Sequence, residues 1–240
     1  MNTIFITLRK ITYLDFQPFF SGPVKVELTD EVQKNIHTSN ILFKKRLDSE
    51  DVIYGVNTGF GKFSNILIDH KDQKQLQLNL VRSHSAGIGD PLELGLVRTL
   101  LFLKLLTYSK GYSGIRPEVV NIIVEFLNND ILPVIPEKGS VGASGDLAPM
   151  GHMALALIGE GEVYYNNKIM PSIEVLNLLK IKPLELYPKE GLSLINGTQV
   201  STAIAIKTLL QGHNLLRSAD IIGAISVENS FSSRNVFKKE

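Results

Sequence analysis

Gly139-Ser140-Val141-Gly142-Ala143-Ser144-Gly145-Asp146-Leu147-Ala148-Pro149-Met150 is the stretch on which the reading of this chain turns. Two constructions fit it. In one it is an ordinary loop opening a helix, with Asp146 as N-cap and Pro149 in the first turn. In the other it is reactive. Ser144 stands between Ala143 and Gly145, two residues with almost no side-chain bulk. The Gly145 amide nitrogen reaches the Ala143 carbonyl carbon only where nothing intervenes, and glycine permits the strained dihedrals this requires. Closing that ring with loss of two waters turns Ser144 into an exocyclic methylidene, an electrophile that the standard side chains do not supply.

On both sides of this loop the pattern is helical. Hydrophobic spacing and punctuation predict helices starting at Thr29-Asp30-Glu31, over 72–82 with Leu76, Leu80 and Val81 on one face, and over 91–109. Further helices are predicted over 117–129, over 147–158 and, as a short one, from Ser172. A long helix is predicted from near Gly191 past Arg217, with Ile204, Leu209 and Leu216 buried. Strand character is confined to the alternation Val24-Lys25-Val26-Glu27-Leu28 and to a hairpin, residues 162–170, turning at Asn166-Asn167. The fold class is mainly α with a small β component.

With 240 residues, 44% hydrophobic and 20% charged, the chain has the composition of a globular protein with a substantial core. A net charge of +1 gives no basic surplus for nucleic acid. The absence of cysteine excludes disulfide scaffolds and thiolate metal sites. The apolar start precedes Arg9-Lys10, the reverse of a secretory signal, and no apolar run reaches the roughly 18 residues of a membrane span. The expectation is a soluble cytoplasmic protein without nucleic-acid or membrane partners.

Four segments carry polar or glycine-rich character without core periodicity. Tyr54-Gly55-Val56-Asn57-Thr58-Gly59-Phe60-Gly61 is a glycine-rich loop, in which Tyr54 is either a packed tyrosine or a proton-transfer phenol. His84, in Arg82-Ser83-His84-Ser85, lies between a helix and a glycine turn, where it either caps the helix or contacts a substrate. The third segment is the Ser144 loop. The fourth is Asn196-Gly197-Thr198-Gln199, where Asn196 offers a donor and an acceptor beside a glycine.

Taken in this order, the four segments resemble the aromatic amino acid ammonia-lyase family, most closely its histidine-specific members. The resemblance spans residues 50–226 and is carried by Tyr54 to Phe63, Gly142 to Pro149, and Asn196 to Gln199. It implies that Ala143, Ser144 and Gly145 condense without other enzymes to 4-methylidene-imidazol-5-one, assisted by Asp146, with no metal and no diffusible cofactor. It implies elimination of ammonia from L-histidine to give urocanate, with Tyr54, Ser144 and Asn196 as catalytic residues. His84 and Asn196 are then the substrate contacts, the substrate is a small amino acid, and the assembly is a homotetramer. Helices opening after Gly145 and near Gly191 are expected to aim their positive ends at the ring.

Three units are expected. Residues 1–190 form the N-terminal domain with the reactive loop, 191–226 the start of a central helical bundle, and 227–240 a polar tail outside the family pattern. The family's second tyrosine, carboxylate-binding arginine and substrate-contacting glutamate have no place in residues 1–240. The sequence therefore reads as a truncated product, inactive alone or paired with a separate C-terminal half. The competing enzymatic reading is a tyrosine or phenylalanine lyase or aminomutase.

Overall fold

The computed structural model describes residues 3–49, 51–142 and 144–238. Strand β1 (Thr3–Ile6) pairs in parallel with β2 (Lys25–Leu28) in the register Thr3↔Lys25. The short helix α1 (Gln17–Ser21) lies in the crossover between them. Helix α2 (Asp30–Leu47) follows, with Asp30 and Glu31 in its first turn and Lys44, Lys45 and Arg46 in its last, both matched to the helix dipole. It buries Val32, Ile36 and Asn40, one residue per turn. The Asn40 amide donates to the Gly114 carbonyl at 2.9 Å, which ties the helix down without leaving a buried polar group unpaired.

Helix α3 (Gln73–His84) leads to β3 (Ile88–Pro91), and α4 (Leu94–Ser109) to α5 (Pro117–Asn128). Strand β4 (Leu132–Pro133) precedes β5 (Pro136–Lys138), which pairs antiparallel with β3. Helix α6 (Leu147–Leu157) emerges from the glycine-rich loop. The hairpin of β6 (Glu162–Tyr165) and β7 (Lys168–Pro171) joins β4 in a three-stranded sheet. Its turn residues Asn166 and Asn167 have φ of 49° and 62°, as a two-residue turn matched to strand twist requires. Then come α7 (Ser172–Leu178), α8 (Glu190–Ile195) and α9 (Gln199–Asn229).

The core is organised around α4. Leu96, Val97, Leu100, Leu101, Phe102, Leu105 and Tyr108 are all buried, so the helix is apolar around most of its circumference, as a central helix must be. Phe102 packs between Phe16 and Phe19 with ring centroids 5.7 and 4.5 Å away. Arg98 makes a two-point contact with Asp130 at 2.7 and 2.9 Å, fixing α4 to the end of α5.

Two expectations need correction. The long helix predicted from Gly191 is broken: α8 stops at Ile195 and α9 begins at Gln199. In α9 the residues facing the core are Val200, Ala203 and Ile206. Ile204, Leu209 and Leu216 are 45%, 54% and 70% exposed. The face of α9 that meets α4 is one step round the helix from the predicted one. From Gln211 onward the helix lies almost wholly at the surface. Helix α9 runs on to Asn229.

Candidate active site

The glycine-rich loop and the α8–α9 break meet face to face. The Asp146 amide donates to the Gly197 carbonyl at 2.7 Å. Gly145 has φ +133° and Gly197 φ +144°. A β-carbon on Gly145 would strike the Gly197 backbone, and one on Gly197 would strike the Gln199 side chain. Both positions need glycine for conformation and for space. Ser144 is exposed beside this junction, and Ala143 lies outside the described residues.

Asp146 is the N-cap of α6 by position, but its carboxylate does not cap that helix. It is buried and turned toward α9. Oδ2 accepts the Ser201 amide at 2.8 Å, and Oδ1 accepts the hydroxyls of Ser201 at 2.6 Å and Ser140 at 2.8 Å. Ser201 is the third residue of α9, so a carboxylate from one helix start caps the next. This revises the expected dipole arrangement. The second positive end at the loop belongs to α9 and not to a helix starting near Gly191.

Asn196 closes α8 in extended conformation, φ −83° and ψ 123°. Its backbone amide donates to the Leu192 carbonyl at 3.0 Å. Its carbonyl accepts from the Lys104 Nζ at 3.0 Å. The residue is exposed, and among the described residues its side-chain amide makes no hydrogen bond, which leaves a donor and an acceptor for a ligand.

His84 ends α3. Its Nδ1 lies 2.8 Å from the Leu80 carbonyl. A carbonyl only accepts, so Nδ1 carries a hydrogen, and Nε2 is the ring nitrogen left for another partner. The next turn is held from α6, where His152 Nε2 accepts the Gly87 amide at 3.0 Å. Burial pushes the His152 pKa below its ordinary value, which suits a ring that must stay neutral to accept.

Tyr54 is 55% exposed. Its hydroxyl oxygen accepts the Gly61 amide at 3.2 Å, and its ring stands edge-on to Phe60 with centroids 6.0 Å apart. Gln77, wholly buried, joins this loop to α8. Its Nε2 donates to the Gly55 carbonyl at 2.9 Å and its Oε1 accepts the Leu192 amide at 3.0 Å. The structure thus brings Gly145 and Asp146 directly onto the Asn196-Gly197 turn. His84 and Tyr54 are tied to the flanking helices through their own loops. Among the described residues no hydrogen bond joins either of them to Ser144 or Asn196.

Three participants escaped the sequence reading. Gln77 sits on the apolar stripe of α3 with Leu80 and Val81, where a polar residue is itself a signal. Ser201 sits three residues beyond Thr198, at the amide an N-terminal capping group reaches. Lys104 interrupts the run Leu100 to Leu106, and burial pushes its pKa down to about 7.

The aromatic amino acid lyase family model matches residues 11–240. The chain belongs to this family. Histidine ammonia-lyase from Alkaliphilus oremlandii is 43% identical over 228 residues, covering 95% of this chain and 45% of that protein. The crystal structure of histidine ammonia-lyase from Trypanosoma cruzi superposes with a TM-score of 0.87 at 33% identity, covering 97% of this chain and 45% of that one. Tyrosine aminomutase from Streptomyces globisporus gives a TM-score of 0.87 at 33% identity, over 95% and 43%. The chain therefore spans slightly less than half the length of these lyases. The family is one of carbon–nitrogen lyases, and the mainly α architecture with small sheets is that of the ammonia-lyase fold.

Proposed function

We propose that this chain supplies the electrophile-bearing part of a lyase that eliminates ammonia from L-histidine to give urocanate. The observation that carries the reading is the Gly145–Gly197 junction. The reactive triplet ends on a glycine packed so closely that no side chain fits, beside a buried carboxylate fixed by three donors. These residues fit a methylidene-imidazolone formed from Ala143, Ser144 and Gly145. Its contribution is an electrophilic carbon that draws electrons from the substrate.

The chain's own residues do the rest. Asp146, locked by Ser140 and Ser201, holds the backbone at Gly145 while the serine loses its hydroxyl. The N-termini of α6 and α9 favour negative charge developing at the loop. The free amide of Asn196 binds the ring or the substrate amine. The His84 Nε2 contacts the substrate side chain, and Tyr54 is the proton-transfer group on a glycine-rich loop. The substrate is a free amino acid, the assembly a cytoplasmic homotetramer, and residues 1–190 its N-terminal domain.

Intact-protein mass spectrometry tests the first step. The purified chain should be lighter than its sequence by two waters, and Ser144→Ala should restore the sequence mass. An unmodified wild-type mass would remove this reading. Ultraviolet detection of urocanate against a panel of histidine, tyrosine and phenylalanine, on a full-length relative carrying these residues, tests the substrate. The tyrosine aminomutase neighbour makes tyrosine the informative competitor, and preference for it would overturn the histidine assignment.

A further inference from the structure

Helix α4 puts a single lysine into the core. Lys104 is 1% exposed, and among the described residues no carboxylate pairs with it. Its Nζ donates to the Asn196 carbonyl at 3.0 Å and lies 5.3 Å from the centre of the Tyr108 ring. Two neighbours on the same face of α4 reach the same place. Thr107 Oγ1 accepts from Gln199 Nε2 at 3.1 Å, and the Tyr108 hydroxyl donates to the Ser193 carbonyl at 3.1 Å. Three side chains from one turn thus grip the α8–α9 break before, at and after Asn196. On its opposite side the break presents the Gly197 carbonyl to the Asp146 amide.

An unpaired buried amine costs folding free energy, and a leucine or methionine there would avoid that cost. Fixing the Asn196 peptide is what the amine does that an apolar side chain cannot. We propose that Lys104 is a positioning residue, one that holds the Asn196 carbonyl so that the Gly197 carbonyl faces Asp146 and Gly145 keeps its ring-forming backbone. The effect on the ring rests on the methylidene-imidazolone reading; the effect on the backbone does not.

The test compares the wild-type chain with Lys104→Met, which keeps the volume and removes the donor. Hydrogen–deuterium exchange is followed in peptides covering residues 144–150 and 193–201. The expected result is exchange at least tenfold faster there, unchanged exchange in α5, and a cooperative melt no lower than wild type. In the same samples the fraction of protein lighter by two waters should fall by half or more. Lys104→Gln, which keeps a donor on a shorter stem, should lie between the two. Unchanged exchange in both peptides would overturn the proposal. So would loss of the cooperative melt in Lys104→Met, since the amine would then be serving the whole fold. If the wild-type mass shows no loss of water, the ring reading fails while the exchange comparison still decides the role of Lys104.

Discussion

Glu190 and Lys104 are both ionisable, both sunk in the interior at 2% and 1% exposure, and the fold treats them in opposite ways. Glu190, at the first position of α8, is fully partnered. Arg116 grips it at 2.8 and 2.9 Å, and the amides of Arg116 and Tyr187 donate to it at 3.3 and 2.9 Å. Tyr187 is stacked between Arg116 and Lys74, each 3.8 Å from its ring centre. Lys104, reaching from α4 to the other end of α8, has one carbonyl among the described residues. The beginning of α8 is secured by a saturated ionic cluster, while its end is held by an amine that burial drives toward the neutral form. A saturated buried pair fixes an element in place. An unsaturated one at a site is retained at a cost, and the cost marks it for scrutiny.

The comparison can be broken most visibly by pH. The Lys104 pKa is about 7 in the folded protein against an ordinary 10.5, so between these values the unfolded chain binds the extra proton. Stability should therefore rise with pH across that window. The penalty is full below pH 7 and vanishes above 10.5, at about 1.4 kcal/mol per pH unit and about 5 kcal/mol at most. Denaturant unfolding of wild type and Lys104→Met, at steps between those pH values, isolates the contribution. The variant should be the more stable at neutral pH, with the gap closing as pH rises, and a constant gap would show that Lys104 keeps its proton.

The partnered side responds to mutation instead. Glu190→Ala leaves Arg116 unpaired and frees the start of α8, and should cost about 3–5 kcal/mol by denaturant midpoint. A cost near zero would mean that the cluster is replaceable and the contrast with Lys104 is one of appearance.

Asp146 sharpens the comparison from between these extremes, as a buried carboxylate with, among the described residues, three neutral donors and no cation. Asp146→Ala strands the Ser201 amide, and should cost about 1–3 kcal/mol while the fraction of protein lighter by two waters falls. A normal mass shift in that variant would leave Asp146 with only its capping role.

Much of the architecture was readable residue by residue. The helices at Asp30, Gln73, Pro117 and Leu147 and the hairpin at Asn166-Asn167 carry their own apolar spacing, acidic first turns, prolines and turn residues within a few positions. The unread elements are those that depend on distant partners. β3 is a strand because β5 pairs with it from beyond two helices, and β1 because β2 lies alongside. The α8–α9 break was missed because Leu194 to Ile206 continues a helical pattern; only Gly197 marks it, and glycine inside a helical pattern is ambiguous. The residues quoted for the four segments were legible as motifs, whereas Gln77, Ser201 and Lys104 were not, since their roles lie in what they touch.

The sequence by itself determined the helical class, the family and the Ala-Ser-Gly motif on which the proposed chemistry rests, because these reside in composition, local spacing and short ordered motifs. Only the tertiary structure decided that Asp146 caps α9, that Gly145 is wedged against Gly197, and that a buried amine from α4 holds Asn196. Each of these is a contact between segments tens of residues apart. Hydrogen-bond geometry and excluded volume settle such contacts only once the chain has folded.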